Sequence, residues 1–290
     1  MTRRIDAPEN AAKLLVDTRG LIYAAYFWAK KQYDPENRKE FEGAMLARVF
    51  SKLRTAHYYA NTNRIIFCCD SPTSKRRELF PEYKSRRPKD EYFAMYRDFF
   101  LRIQNEILPS IGFRNILEAD GLEADDIIAS ICLQENKLPV VIYSDDADLY
   151  QCIKHNVTMM SIVRGTNYIM DTAKFEQVFG IGPDRWADVK AISGCPTDCV
   201  PGVLRCGEAR AVKYLKGELK PGVVKARIQL AEEQIKFTDR LVRLPFDGVV
   251  LPFTWEIDEF NKKAILDLTE EYTLLFMQDN FWGTFFGFDS

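Results

Sequence analysis

The stretch VVIYSDD, residues 140–146, runs from four apolar residues through a serine into two aspartates. Two earlier runs have the same form, LLVD at residues 14–17 and IIFCCD at residues 65–70. Each is short, rich in β-branched or aromatic residues and apolar at consecutive positions, which is typical of a strand buried on both faces of a parallel sheet. Helical stretches separate the three runs, so the sequence predicts a doubly wound, mainly parallel α/β fold.

An aspartate ends each of these predicted strands: Asp17, Asp70 and Asp146. In an open parallel sheet the ligand site lies just beyond the carboxyl ends of the strands. A single aspartate at such a position is also a common helix N-cap. Three of them at three strand ends favour a shared acidic site over three unrelated caps.

The segment GLEADDIIASI, residues 121–131, adds Glu123, Asp125 and Asp126 in the first turn of a predicted helix. The helix macrodipole favours acids there, which by itself explains one or two of them. Three carboxylates within four residues repel one another unless a cation compensates, and hard ions such as Mg²⁺ bind oxygen ligands.

Two further acids complete the predicted metal site. Asp148 follows the third strand closely, and Asp198 lies in a loop before Pro201, where an aspartate is also a common turn former. The combined set predicts one or two Mg²⁺ or Mn²⁺ ions that act on a phosphodiester. The predicted metal ligands are Asp17, Asp70, Glu123, Asp125, Asp126, Asp146, Asp148 and Asp198.

Basic residues crowd the segment SKRRELFPEYKSRRPKDEYF, residues 74–93, which begins soon after Asp70. Lysine and arginine supply sequence-independent phosphate contacts, and Tyr83 offers a stacking face for an unpaired base. Such a run is often only a solvated charged face, and the net charge of −2 does not indicate nucleic acid. Its position beside an acidic metal site favours nucleic-acid binding.

The composition excludes several other classes of protein. The chain has 290 residues, no apolar run long enough to span a membrane, and no signal-like N-terminus, so we expect a cytoplasmic protein. Seven cysteines are not a disulfide framework. The proximity of Cys195, Cys199 and Cys206 raises the alternative of structural zinc, but no CxxC pair and only two histidines accompany them.

Six stretches between about residues 12 and 220 resemble the 5′-nuclease or flap-endonuclease family, which includes the 5′-exonuclease domains of bacterial DNA polymerase I and phage flap endonucleases. In chain order they are LLVDTRGLIYAAY, RRELFPEYKSRRP, GLEADDIIAS, SDDADLYQ, GPDRWADVKAISG and TDCVPGV. The resemblance implies a PIN-like catalytic domain over residues 1–180, with a helical arch at about 71–105. It also implies a helix-three-turn-helix element within residues 181–290 and a closing segment that packs back on the catalytic domain.

The resemblance also implies roles for individual residues. Asp70, Glu123 and Asp125 resemble ligands of a first metal, with Asp17 and Asp126 close by. Asp146, Asp148 and Asp198 resemble ligands of a second metal. The implied catalytic residues are Lys84, Arg87 and Asp125. The implied DNA-binding residues are Arg76, Tyr83, Lys84, Arg86, Arg87, Gly202, Val203, Arg205 and Gly207. Family members often bind K⁺ at the helix-three-turn-helix element, so K⁺ is a possible further ion.

Two positions depart from the family pattern. Cys195 stands where an aspartate ligand is expected, and a thiol is a poor ligand for Mg²⁺, so the second metal should bind more weakly or be reorganised. Arg205 replaces a glycine after the PGV motif. It would either block a close backbone approach or add a phosphate contact.

The sequence therefore predicts a structure-specific 5′-3′ exonuclease or flap endonuclease that acts on DNA with a 5′ end or flap in replication or repair. Two alternatives stay open: a DNA-structure-binding protein with weakened catalysis, suggested by Cys195, and an RNase that removes RNA primers from RNA–DNA hybrids. The aromatic end FMQDNFWGTFFGFDS, residues 276–290, is expected to cap the core. Its alternative role is docking of a replication protein such as a sliding clamp.

Overall fold

In the computed structural model, which describes residues 2–4, 12–86, 90–163 and 166–274, six strands form one twisted sheet. Its order is β4-β3-β2-β5-β6-β7, and all neighbours are parallel except β6 and β7. The strands are β1 (Thr2–Arg4), β2 (Lys13–Asp17), β3 (Ile65–Cys69), β4 (Ile116–Glu118), β5 (Val140–Tyr143), β6 (Val157–Val163), β7 (Thr166–Met170) and β8 (Glu259–Asn261). Strands β1 and β8 form a separate antiparallel pair. The predicted doubly wound, mainly parallel fold is confirmed.

Helices cover both faces of this sheet. Their bounds are α1 (Thr18–Ala29), α2 (Arg38–Ala60), α3 (Lys75–Leu79), α4 (Glu91–Arg102), α5 (Leu108–Ile111), α6 (Ala124–Gln134), α7 (Thr172–Phe179), α8 (Trp186–Ser193), α9 (Glu208–Leu215), α10 (Val223–Leu230), α11 (Glu232–Val242) and α12 (Lys262–Glu271). A widened turn at Ile103–Ile107 joins α4 to α5, and short 3₁₀ turns occur at Ala147–Cys152, Pro183–Arg185, Pro196–Asp198 and Phe246–Gly248.

Alternation along β2 explains why its sequence is apolar at every position. Leu14 and Val16 enter one core, beneath α1, α2, α4, α5 and α12, while Leu15 enters the opposite core, beneath α6, α7, α8 and α9. Strands β3 and β5 divide their side chains in the same way. A strand with both faces buried has no polar face, so the period of two disappears from the sequence.

The sheet reverses its winding at β2, which pairs with β3 on one side and β5 on the other. Such a switch point leaves a crevice at the carboxyl ends of the strands, where ligands bind in doubly wound folds. Asp17 ends β2 and Asp70 directly follows β3. The fold therefore places the predicted acidic residues around one crevice.

The helical region after residue 180 packs directly on the α/β region. The Trp186 ring lies 5.4 Å from Phe175 and 5.9 Å from Tyr150, centroid to centroid. Further along the chain, Phe260 in β8 packs on Phe113 at 5.2 Å. Both hydrophobic cores thus contain residues from either side of the predicted boundary at residue 180, and the division into two domains stays a prediction.

The described part of the predicted arch, residues 71–105, consists of α3, a series of turns up to residue 86, and α4. Tyr96 of α4 is fully buried and stacks on Phe41 at 4.5 Å, so α4 belongs to the layer that covers the sheet. Arg87 and the aromatic end at 276–290 lie outside the described residues. Among the residues that the structure describes, no helix is long and apolar enough to span a membrane.

Candidate active site

Hydrogen bonds of Asp17 and Asp70 connect the ends of strands β2 and β3 to neighbouring elements of the crevice. Asp17 accepts from the Gly20 amide at 2.8 Å, which caps α1, and from the Ser144 hydroxyl at 2.9 Å. Asp70 accepts from the Ala124 amide at 2.8 Å and so ties the end of β3 to the start of α6. These aspartates therefore cap local backbone and also converge on one another.

The start of α6 brings Asp125 into the same crevice. Burial and the negative charges of Asp146 and Asp17 raise the pKa of Asp125 well above its usual range. Burial raises the pKa of Asp17 to about 6, with further contributions from Asp70 and Asp146. Negative neighbours make these carboxylates harder to ionise, and a bound cation would have the opposite effect. Their donors are all oxygen, which fits a hard divalent ion.

We call this set the first acidic group. Its members surround the switch point and offer only carboxylate oxygens. They are Asp17, Asp70, Glu123, Asp125 and Asp146. Asp146, which was predicted as a ligand of the second metal, lies between this group and the next, because the charges of Asp148 and Asp198 also raise its pKa.

Asp148, Cys195 and Asp198 form the second group, in which one ligand atom from each residue lies within 4.8 Å of the others. The loop that carries Cys195 and Asp198 is closed by paired backbone hydrogen bonds between Cys195 and Val200, at 3.1 and 3.0 Å. Gly202 permits this loop to pack closely, since a Cβ there would lie 1.9 Å from the Ser193 carbonyl oxygen. The structure thus brings the predicted Asp148 and Asp198 together with the thiol that departs from the family pattern.

A cavity of about 20 Å³ lies between the two groups, with a floor of Val200, Leu241, Val242 and Leu244. It has room for about one water-sized occupant. The polar residues around it include Tyr83, Glu123, Asp125, Asp148, Cys195 and Asp198.

Lys84 bridges the two groups. Its ammonium Nζ lies 2.6 Å from Glu123 Oε1 and 3.9 Å from Asp198 Oδ2, and its backbone amide donates to the Asp198 carbonyl at 2.8 Å. Lys84 adopts a left-handed backbone conformation, with φ at 56°. The predicted catalytic lysine therefore lies at the acidic centre, where its charge lowers the pKa of Glu123 despite the opposing effect of burial.

Two expectations about Arg76 and Asp126 are corrected. Arg76 is only 2% exposed, and its guanidinium donates to both Asp126 oxygens at 2.6 and 2.8 Å and to the Leu241 carbonyl at 2.8 Å. Asp126 is fully buried and also accepts from the Glu123 and Phe246 amides. Arg76 is therefore not placed to contact DNA, and the oxygens of Asp126 are occupied by protein donors rather than directed at a metal.

Two more predicted DNA contacts are corrected by burial. Tyr83 is 5% exposed and donates its hydroxyl to Glu123 Oε2 at 2.8 Å, so its ring offers no stacking face. Val203 is also 5% exposed, and its amide donates to the Ile192 carbonyl at 2.8 Å. Both residues support the site from within the core.

Three of the other predicted DNA-binding residues, Arg86, Arg205 and Gly207, lie on the surface, whereas Gly202 is half-buried against Ser193. Arg86 and Gly207 are exposed, and Gly207 immediately precedes α9. Arg205 is exposed in a left-handed conformation, with φ at 64°. That conformation favours glycine, which explains why the family pattern has a glycine at this position.

Sequence reasoning missed several supporting residues. Arg19 pairs with Asp70 at 2.8 Å, and Lys190 pairs with Asp148 and Glu208, both at 2.8 Å. Arg19 could have been found from its place two residues after a strand-end aspartate. Lys190 carries no such signal, because only folding of α8 brings it to Asp148.

The raised pKa of Asp17 predicts how stability depends on pH without metal. The folded protein holds this proton up to about pH 6, whereas the unfolded chain loses it near 3.8. The contribution of Asp17 to the free energy of unfolding should therefore fall as the pH rises from about 4 to about 6, and level off above that. Asp258, bonded to Asn115 outside the acidic groups, has a pKa of about 7 and acts in the same direction.

Urea unfolding at several pH values tests this prediction. Saturating Mg²⁺ should remove the contribution of Asp17 to the pH dependence of the free energy of unfolding. Asp17→Asn should remove the same contribution without metal. Asp258→Asn serves as the control, since its loss should leave the Mg²⁺ effect intact. A pH profile that Mg²⁺ leaves unchanged would contradict the prediction.

The strand order and the clustered carboxylates define the class of a metal-dependent 5′ nuclease, and comparison with known proteins agrees. A family model described as "5′-3′ exonuclease, N-terminal resolvase-like domain" matches residues 12–180. The chain is 30% identical over 213 residues to the 5′-3′ exonuclease of Mycoplasma pneumoniae, a match that covers 70% of this chain and 71% of the relative. The chain therefore belongs to the 5′-3′ exonuclease family, as the sequence predicted.

Solved structures agree on the fold. A zinc-bound structure of the T5 5′-exonuclease matches with a TM-score of 0.64 at 18% identity, over 91% of this chain and 98% of that one. The catalytic core of Rad2 in complex with a DNA substrate matches with a TM-score of 0.52 at 18% identity, over 99% of this chain and 92% of that one. At these identities the likeness shows a shared fold.

Proposed function

We propose that this chain is a structure-specific 5′-3′ exonuclease or flap endonuclease that hydrolyses DNA with the aid of Mg²⁺ or Mn²⁺. The observation that carries the proposal is the clustering of Asp17, Asp125 and Asp146 at the switch point, where, besides burial, the charge of Asp146 raises the pKa of both Asp17 and Asp125. Membership of the 5′-3′ exonuclease family supports the same reaction. The DNA-bound Rad2 neighbour supports DNA as the substrate.

The first acidic group would hold the divalent ion. Its residues offer oxygen donors, and their mutual repulsion falls when a cation is bound. When bound, such an ion supplies the positive charge that activates a water and stabilises the leaving oxygen. The residues of the chain hold the ion in place: Tyr83 fixes one oxygen of Glu123, and the Ala124 amide fixes one of Asp70.

Lys84 would act on the DNA phosphate. A divalent ion held by Glu123 would compete with the ammonium of Lys84 for this carboxylate, and Lys84 would then be able to turn toward an anionic substrate. Its backbone stays fixed by the hydrogen bond to Asp198. Arg87 and the exposed Arg86 follow directly in the sequence and would add further phosphate contacts.

The duplex would lie against the start of α9. Backbone amides at a helix N-terminus favour phosphate, and Arg205 and Gly207 flank this end on the surface. The carbonyl oxygens of this turn already accept protein donors: Gln234 donates to Gly202 at 3.0 Å, and Arg210 donates to Arg205 at 2.5 Å. A role as helix-three-turn-helix element, with K⁺ as an additional ion, stays a prediction.

Cleavage of a labelled 5′ flap tests the proposed function. We expect product with Mg²⁺ or Mn²⁺ and none with EDTA, while binding without cleavage under every divalent ion would contradict it. That second result would match the alternative of weakened catalysis, which the thiol in the second group favours. A matched substrate with an RNA flap distinguishes primer removal from DNA cleavage.

Replacement of Lys84 by methionine should affect metal binding and cleavage in opposite directions. Loss of the competing ammonium should raise Mn²⁺ affinity about fivefold, which corresponds to about 1 kcal/mol for a partly exposed ion pair. Loss of the phosphate contact should lower single-turnover cleavage by about 100-fold. Electron paramagnetic resonance of free Mn²⁺ and flap cleavage measure the two effects.

Lys39→Met, on the exposed start of α2, is the matched control and should change neither quantity. A Lys84→Met variant with weaker Mn²⁺ binding would contradict the competition between ammonium and metal. Unchanged cleavage would contradict the phosphate contact.

A further inference from the structure

The second group differs in chemistry from the first. Asp148 and Asp198 offer oxygen, whereas Cys195 offers sulfur, and all three line the cavity of about 20 Å³. In the first acidic group every donor is an oxygen. The two groups therefore present different chemistry to a metal ion.

The spacing of the three donor atoms fits one shared ion. Zinc lies about 2.3 Å from a thiolate and about 2.1 Å from a carboxylate oxygen, so donors to one tetrahedral ion lie about 3.5 Å from each other. The donors here all lie within 4.8 Å of one another. Side-chain rotations that move the donor atoms by about 1 Å would bring them to a common ion.

The backbone holds the sulfur in this position. Cys195 exchanges two hydrogen bonds with Val200, and the Thr197 hydroxyl lies 3.1 Å from its Sγ. Close packing of Gly202 on Ser193 fixes the end of the loop. The thiol is therefore built into the loop that also presents Asp198.

The two carboxylates of the second group are already paired with lysines. Lys190 lies 2.8 Å from Asp148, and Lys84 lies 3.9 Å from Asp198, so ammonium groups offset both carboxylates. Mg²⁺ depends on hard, charged oxygen ligands and gives up its waters reluctantly. A thiolate ligand instead favours softer ions such as Zn²⁺ and Co²⁺.

We propose that Asp148, Cys195 and Asp198 form a mixed carboxylate–thiolate site that selects a thiophilic divalent ion over Mg²⁺. The inference rests on the proposed function, because it concerns the second ion site of the same nuclease centre. On binding, the S–H bond of Cys195 breaks, a sulfur–metal bond forms, and the proton passes to solvent. Mg²⁺ alone would then occupy only the first acidic group.

Titration of the full chain with Co²⁺ tests this site without any DNA. We expect a near-ultraviolet band from charge transfer between sulfur and cobalt, which one equivalent of Zn²⁺ abolishes. Cys195→Ser should lose the band and weaken Co²⁺ binding at the second group at least about tenfold. Loss of a residue that only hydrogen-bonds a metal ligand already costs about that much, and loss of a direct ligand should cost more. Cys199→Ser, which removes the partly exposed thiol four residues away, is the matched control and should keep the band.

A second variant covers the case in which Cys195→Ser fails to fold. Cys195→Asp should lose the cobalt band and gain a second tightly bound Mn²⁺, counted by electron paramagnetic resonance. No band in the wild-type chain, a band retained in Cys195→Ser, or no added Mn²⁺ in folded Cys195→Asp would each overturn the proposal. Failure of flap cleavage alone, with the band present, would overturn the proposed function and leave the metal site standing.

Discussion

Asp125→Asn should lower single-turnover flap cleavage by roughly 10³-fold, as expected when a group that acts as part of one catalytic unit is removed. Asparagine keeps the volume and one oxygen but removes the charge that a divalent ion needs. The same change should stabilise the metal-free protein by about 1 kcal/mol. The reason is that partial burial and the negative charges of Asp146 and Asp17 disfavour the charged form of Asp125.

Two measurements separate this effect from simple misfolding. Thermal unfolding without metal should show a higher melting temperature for the variant, while cleavage with Mn²⁺ should be nearly lost. Asp145→Asn is the matched control, because Asp145 is exposed, lies outside both groups, and neighbours Asp146. A variant that loses activity together with metal-free stability would mean that Asp125 supports the fold rather than the chemistry.

Arg76→Met should lower the free energy of unfolding by about 3–5 kcal/mol, the cost of leaving a buried charge without its partner. The remaining carboxylate of Asp126 would keep only its two amide donors, from Glu123 and Phe246. Cleavage should fall as well, because displacement of the start of α6 moves Glu123. Denaturant unfolding and flap cleavage measure the two effects.

The double variant Arg76→Met with Asp126→Leu should recover part of the lost stability, since it removes the second charge as well. Lys236→Met breaks an exposed pair with Glu232 and should leave the free energy of unfolding nearly unchanged. If Arg76→Met were fully stable but bound DNA with a weaker salt dependence, Arg76 would be a DNA contact after all.

The sequence was sufficient to predict the parts of this structure that depend on local pattern. The consecutive apolar residues of β2, β3 and β5 follow from burial of both faces, and the aspartates at their ends follow from the topology of a parallel sheet. Capping and metal binding are not competing interpretations at these ends. Asp17 caps α1 and faces the crevice at once.

The direction of each side chain could not be predicted in the same way. Asp125 and Asp126 are neighbours on one helix, yet the first faces the crevice and the second faces Arg76 and the segment around Phe246. Phe246 lies 120 residues from Asp126 in sequence, so no local sequence pattern could predict this contact. A Glu123 and Asp126 pair at the start of a helix was a capping signal, and it would have indicated the structural role of Asp126.

The contacts of Leu241 and Phe246 decide whether a shorter fragment of this enzyme can keep its fold. Their backbone groups bind Arg76 and Asp126, and the ring of Phe246 lies 5.0 Å from the Arg76 guanidinium. A fragment that ended at residue 180 would keep every residue of the first acidic group but expose this ion pair to water. We therefore expect the carboxylates of the first acidic group and the chain that follows them to unfold as one cooperative unit.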